Sequence, residues 1–274
     1  MIKNKNYPLL LKDMVLKGGD KGFGIPLNAP LYPRSATIYY GKVRVALVLA
    51  NIDPKSVEPL LPEGVDLAME MAGFWIGDYG LSTVGVYREA LVAIPVKTGD
   101  ISLAYYIPYI YVTNDAALAA GRELAGAPKK LGRIELSMND YGLVVGTLDR
   151  GGELMRVEIA ITSRLGLEQL DAFKALIPRV DNTITFPLLS LRVLPPLPDG
   201  TPGIAQLILW YAKFIFTPRD NPQLWAGEAR VKLNGTPFDP LDDIKITQVI
   251  TGLYLEGDME LGITKMVKEW KLSW

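Results

Sequence analysis

The sequence predicts a mainly β, α+β fold: curved antiparallel sheets forming a closed or cone-like β-barrel, with two or three small helices. Three observations lead there. Apolar and polar residues alternate with period two in several stretches, glycine-rich turns separate those stretches, and helical signals are few and short. The chain has 274 residues, 49% of them hydrophobic and 22% charged, enough for one large β domain with a sizeable core.

Taken in chain order, residues 18–34 (GGDKGFGIPLNAPLYPR) hold seven Gly or Pro in seventeen positions, which breaks any periodic element. Residues 1–35 are therefore expected to form an arm laid over a single domain spanning 1–274. From Ile38 onward the pattern is that of a strand, with Lys42 and Arg44 on one side and Val43, Val45 and Leu47 on the other. Asp53-Pro54 opens a brief helical turn before Leu60-Leu61-Pro62. Asn114 caps the clearest helix, which runs through AALAAGREL to Gly126 and is followed by Pro128. Arg156 and Glu158 alternate with Val157, Ile159 and Ile161, as do Glu228, Arg230 and Lys232 with Ala229, Val231 and Leu233; both stretches predict strands with one wet face. Asp149-Arg150-Gly151-Gly152 and Asn234-Gly235 read as hairpin turns, and a further short helix is expected at Leu167–Leu176.

Composition excludes several kinds of function. A formal net charge of -1 offers no field for nucleic acid or anionic lipid. With no His and no Cys, imidazole-based triads, thiolate catalysis, disulfides and His/Cys metal sites are all out of reach. An acid, base or nucleophile must come from Asp, Glu, Lys, Tyr, Ser, Thr or a bound cofactor. No apolar run approaches the length of a signal-peptide core or a membrane span, so a cytoplasmic protein is expected. Dinucleotide and P-loop phosphate motifs are absent from the sequence, and Lys97-Thr98-Gly99 reads as a turn.

Two adjacent lysines, Lys129 and Lys130, follow the helix stop at Gly126 and Pro128. By themselves they could be solvated cations at a helix C-terminus. Their setting is more specific. Asn114-Asp115, Ala119-Ala120-Gly121-Arg122-Glu123-Leu124, Gly126 and Pro128-Lys129-Lys130-Leu131-Gly132 together resemble the signature of the acetoacetate decarboxylase family. Gly85-Val86-Tyr87-Arg88-Glu89 with Ile94-Pro95, the arm segment Ala29–Arg34, and Val145–Asp149, Leu191–Pro195, Asp199-Gly200 and Pro240-Leu241 resemble other blocks of that family. The likeness covers nearly the whole chain.

The resemblance implies that Lys129 is a Schiff-base nucleophile, Lys130 its cationic neighbour and Glu89 a pocket carboxylate that orients a cation or exchanges protons. It also implies decarboxylation of a small β-keto acid, acetoacetate or a close analogue, in a homo-oligomer, with no cofactor and no metal. An ordinary lysine, with a pKa of about 10.4, is an uncharged amine less than about one time in a thousand at pH 7, so the nucleophile needs a dry, apolar site. Successive strand residues face opposite ways; Lys130 is thus expected to point away from Lys129, leaving desolvation as the larger activating influence.

Three positions depart from the family pattern. A second pocket glutamate falls on Phe74, with Glu70 as a weak replacement. The substrate-binding arginine has no clear counterpart, leaving Arg44 or Lys42 as candidates. Ala127 stands where many relatives have an aromatic residue, implying a roomier pocket. Two alternatives therefore stay open: a Schiff-base aldolase or dehydratase acting on an oxo acid, and a non-enzymatic β-barrel binding a small apolar ligand.

Overall fold

A computed structural model describes residues 15–35, 37–173, 178–218 and 220–273; the first fourteen residues of the expected arm lie outside the described residues. The chain begins with a long strand β1 (Thr37–Ile52), a short helix α1 (Pro54–Val57), β2 (Asp66–Leu67), β3 (Met71–Ser82), β4 (Tyr87–Thr98) and β5 (Ile101–Val112). Helix α2 (Asp115–Ala120) and a π-helical turn (Gly121–Ala125) lead into β6 (Lys129–Leu131), β7 (Arg133–Met138), β8 (Leu143–Asp149) and β9 (Glu153–Arg164). After β10 (Arg179–Val180) come β11 (Thr183–Leu194), β12 (Gly203–Ile215), β13 (Gln223–Leu233), the small strands β14 (Gly235–Thr236) and β15 (Asp239–Pro240), and the 27-residue β16 (Ile246–Leu272).

Strand pairing closes on itself in the order β1-β3-β4-β5-β11-β12-β16, with β16 returning to β1. All of these pairings are antiparallel except β5 with β11. Closure leaves these strands without a free edge. A branch, β13-β9-β8-β7, leaves β16 and covers the outside of β1, β3 and β4. Two cores result. One fills the ring, from Val43, Val45 and Leu47 across to Trp210, Phe214 and Leu255. The other lies between ring and branch, where Ala46, Val48, Phe74 and Ile76 meet Val144, Val157 and Ile159.

The second core corrects one expectation. β1 has no continuous wet face: beyond Arg44 it is buried on both sides, because the covering branch takes Ala46, Val48 and Ala50. β9 and β13 do alternate as expected, with Arg156 donating to Glu158 on the outer side. Asp53 caps α1 by accepting from Lys55 N. Asn114 Oδ1 accepts from Ala117 N at 2.7 Å, and Gly126 closes the helical segment at φ 71°. A Cβ on Gly126 would stand 2.5 Å from the backbone nitrogen of Arg192, so the residue is needed for close approach as well as for its left-handed backbone. The helix expected at Leu167–Leu176 is a 3-10 segment, Leu167–Phe173, and 174–177 lie outside the described residues. Asn234-Gly235 is not a hairpin tip. It opens the small β14-β15 hairpin, whose tip is Pro237-Phe238, and Asn234 Nδ2 donates to Glu153 O.

Candidate active site

Period-two geometry on β4 sends Tyr87, Glu89, Leu91 and Ala93 toward the ring interior, while Arg88 faces outward to Ile134 O and Asp78. On the neighbouring β3, Trp75, Gly77 and Tyr79 face the same way, and Gly77 sits directly across from Glu89. That position must lack a side chain: a Cβ there would lie 2.8 Å from Trp75 Nε1 and 2.9 Å from Tyr79 OH. Trp75 Nε1 donates to Tyr79 OH at 3.2 Å, and Tyr79 OH donates to Glu89 Oε1 at 3.0 Å.

β6 runs parallel to β5, with Lys129 beside Ile110 and Lys130 beside Tyr111. Lys129 points inward, is 5% exposed, and donates from Nζ to Glu89 Oε2 at 2.8 Å. The Tyr87 ring lies 5.6 Å from the ammonium. The π-helical turn flanks the lysine stem; a Cβ on Gly121 would come within 2.5 Å of Lys129 Cδ and Cε. Arg122 Nη1 donates to Lys129 O at 3.2 Å and fixes the strand to the same turn. The docked arm braces this turn from outside, where Tyr32 OH donates to Glu123 Oε2.

Three tyrosines enclose the pair. Tyr40 and Tyr87 share a hydrogen bond of 3.0 Å, and the Tyr79 ring packs 5.0 Å from Tyr40 and 4.8 Å from Tyr87. Burial first, and then the neighbouring Glu89 and tyrosine oxygens, raise the Tyr79 and Tyr87 hydroxyls well above the ordinary phenol range; burial and Glu89 do the same for Tyr40. All three remain neutral hydrogen-bonding groups at neutral pH.

Two cavities meet at this point. One of about 90 Å³, open to the centre of a water-sized sphere, is lined by Glu89, Tyr79 and apolar residues of β1, β3, β4, β5, β11, β12 and β16. The other, about 30 Å³, lies against α2 and the π-helical turn and is lined by Lys129, Tyr40, Tyr87 and Ala127. Trp210 and Leu261 border both. The Lys129–Glu89 pair therefore sits between them, in surroundings that are apolar apart from tyrosine hydroxyls.

The other expected site residues lie elsewhere. Lys130 faces away from Lys129 and donates to Asp239 Oδ1 at 2.7 Å and to Phe238 O. Tyr111 and Arg150 also donate to Asp239. Burial opposes ionisation of Asp239, but these hydrogen bonds and the two cations outweigh it and hold the carboxyl below its usual range. Arg44 is paired with Asp78, and Lys42, at φ 53° in a bulge of β1, shares an outer cleft with Arg44 and Asp258. The structure brings neither cation to Lys129, because Val43 and Val45 occupy the inward positions. Glu70 is exposed, and Phe74 is turned into the outer core; the inward residues beside Phe74 are Gly73 and Trp75, so this stretch supplies no carboxylate to the cavity. Sequence reasoning missed Tyr79 and Trp75. Their available signal was the spacing Trp75-Gly77-Tyr79, three same-face positions with a glycine between two large hydrogen-bonding aromatics.

Comparison with known proteins agrees with this architecture. The acetoacetate decarboxylase of Clostridium acetobutylicum is 28% identical over 264 residues, 95% of this chain and 99% of that protein. The acetoacetate decarboxylase of Clostridium botulinum is 30% identical over 251 residues, covering 89% and 94%. An acetoacetate decarboxylase structure superposes with a TM-score of 0.77 at 23% identity, covering 91% of this chain and 96% of the other. The enduracididine biosynthesis enzyme MppR, complexed with the condensation product of pyruvate and imidazole 4-carboxaldehyde, shares the fold at a TM-score of 0.65 and 16% identity, covering 93% and 97%. The sequence model of the acetoacetate decarboxylase family matches residues 25–270, and the chain belongs to that family.

Proposed function

We propose that this protein is a cofactor-independent carbon–carbon lyase that decarboxylates a β-keto acid through a Schiff base on Lys129. The observation that supports this best is a buried lysine whose Nζ contacts Glu89 Oε2 at 2.8 Å where two largely apolar cavities meet. The proton that must leave Nζ before attack has an acceptor within reach. The free amine then adds to the keto carbon, forming a C–N bond, and the keto oxygen departs as water to leave a protonated imine. The bond to the carboxylate breaks and its electron pair moves toward the iminium nitrogen, giving carbon dioxide and an enamine. Carbon protonation, with Glu89 as the nearest carboxyl, and addition of water release the ketone and restore the amine.

Tyr79 and Trp75 form a hydrogen-bond relay that fixes the Glu89 carboxyl, acting as positioning residues. Lys130 takes no part in this scheme, since it is committed to Asp239 on the other side of the strand. A second reading, aldol condensation or dehydration of an oxo acid, uses the same imine. It is favoured by the lack of a second carboxylate, or of any cation besides Lys129, among the described cavity-lining residues. Incubation with acetoacetate or pyruvate, borohydride reduction and peptide mass mapping test both readings. An adduct at Lys129 with release of carbon dioxide from acetoacetate supports the decarboxylase, whereas an adduct with pyruvate and no carbon dioxide release supports the second reading. Absence of any adduct at Lys129 refutes the imine and leaves a binding protein.

A further inference from the structure

Resting on the imine reading above, we infer that the substrate carries an extended apolar group on its keto carbon, an alkyl chain or an aryl ring, in place of the methyl group of acetoacetate. The reacting carbonyl has to sit at Lys129 Nζ, between the two cavities. One substituent of the keto carbon must therefore enter the smaller space and the other the larger. One water needs about 10–15 Å³ on this measure. The smaller cavity, about 30 Å³, matches a carboxymethyl arm; the larger, about 90 Å³, exceeds what a methyl group fills.

The larger cavity has a direction. Inward residues of β4 run from buried Glu89 through Leu91 to half-buried Ala93, about 13 Å at about 3.3 Å per residue. Half-buried Leu49 shares that end of the cavity with Ala93, through the register Leu49–Gly73–Ala93 across β1, β3 and β4. Small residues keep this passage clear. A Cβ on Gly73 would already lie 3.3 Å from Leu47 Cδ1, and Ala93 and Ala212 line the wall.

Its chemistry is equally specific. Among the described lining residues of both cavities, the charged side chains are Glu89 and Lys129, which belong to the reacting centre. Beyond them the wall of the larger cavity is alkyl, aryl and thioether apart from the hydroxyls of Tyr79 and Tyr105 and the indole N–H groups of Trp75 and Trp210. Tyr79, Trp75 and Trp210 already hold hydrogen-bond partners. A second charged or hydroxylated group on the substrate would lose its water there without a charged partner. An apolar chain loses nothing of that kind, and each buried methylene raises affinity or kcat/KM about fourfold.

The test uses the wild-type protein and a series of 3-oxo acids ending in methyl, propyl, pentyl and phenyl. The corresponding methyl ketones are measured in parallel by calorimetry, which requires no turnover. Rising kcat/KM and tightening ketone binding, on the order of 100-fold from methyl to pentyl, support the inference. A ketone series that is flat or weakens with length overturns it. Gly73→Leu, which narrows the passage, is expected to collapse the pentyl-to-methyl ratio; a variant keeping the full gradient also overturns the inference. Failure of the imine reading is distinguishable: no borohydride adduct with any 3-oxo acid refutes that reading, while an adduct together with a flat ketone series refutes only the apolar substituent.

Discussion

Gly121→Ala separates the position of the nucleophile from the stability of the fold. Gly121 has helical backbone angles, φ -64° and ψ -45°, so alanine fits the backbone and contributes about 1 kcal/mol of helix preference. Against that, the new Cβ stands 2.5 Å from Cδ and Cε of Lys129, and overpacking of this kind costs about 1–3 kcal/mol. The net loss is about 0–2 kcal/mol, a fall in Tm of no more than about 8 °C for a chain of this size. The lysine stem has to give way, because the backbone of the turn is tied down through Gly126 and Arg122. A displacement of about 1 Å at the attacking atom costs on the order of 100-fold in rate. The assay is the rate of borohydride-trapped adduct formation at Lys129 alongside thermal unfolding. A variant that folds normally and forms adduct at the wild-type rate would refute the steric role of Gly121 and the need for the Lys129 stem to lie where it does.

Glu89→Gln keeps an acceptor for Tyr79 but removes the proton acceptor for Nζ, and kcat for decarboxylation is expected to fall about 100- to 10,000-fold; a change of only a few-fold would remove Glu89 from proton transfer. Lys130→Met should lower Tm by releasing the β14-β15 hairpin, yet leave the pH profile of adduct formation at Lys129 where it stands in the wild type. A shifted profile would mean that the neighbouring charge, not burial, activates the nucleophile. The buried tyrosines set a limit on alkaline stability: above about pH 10 the unfolded chain loses phenol protons that Tyr40, Tyr79 and Tyr87 retain when folded. The folded state then binds more protons than the unfolded state, and stability falls as pH rises. Tyrosinate absorbance should therefore include these three residues only as the protein unfolds, and their reversible ionisation in the folded state would contradict the closed site.

Local chemistry was legible in the sequence wherever neighbours in the chain determine it. The cap at Asn114, the helical turn opened by Asp53-Pro54 and the helix stop at Gly126 each depend on a few adjacent residues and appear as read. Tyr87 and Glu89 share a face simply because they are two apart on a strand. What could not be read depends on pairing across long separations. Gly77 comes opposite Glu89 only through the β3-β4 register, and that register recruits Tyr79 and Trp75 to the carboxyl. Arg44 and Lys42 looked available for a substrate carboxylate because the sequence does not show Asp78 waiting on the next strand, or the bulge at Lys42. The second face of β1 did leave a mark, the unbroken apolar run Val45–Ala50, but the branch that covers it comes from residues 133–164 and 223–233, far along the chain.

The two lysines show how one alternation divides labour between adjacent, chemically identical side chains. β6 is three residues long and gains little from its own ladder, so its placement must come from the groups it holds. Lys130 supplies much of that hold. It joins buried Asp239 and Phe238 O, while Arg150 bridges Asp239 and Leu131 O. The result is a polar clamp on the outer side of the strand, whose hydrogen bonds share one carboxylate. With β6 fixed from outside and the π-helical turn packed against the lysine stem from inside, Lys129 has little freedom except along the Glu89 direction. A one-residue slip of β6 that buried Lys130 against Glu89 would bring Leu131 to face Asp239. A leucine there would strand a buried carboxylate with fewer donors, at a cost of about 1–3 kcal/mol or more. The outer clamp thus specifies which of the two amines faces Glu89.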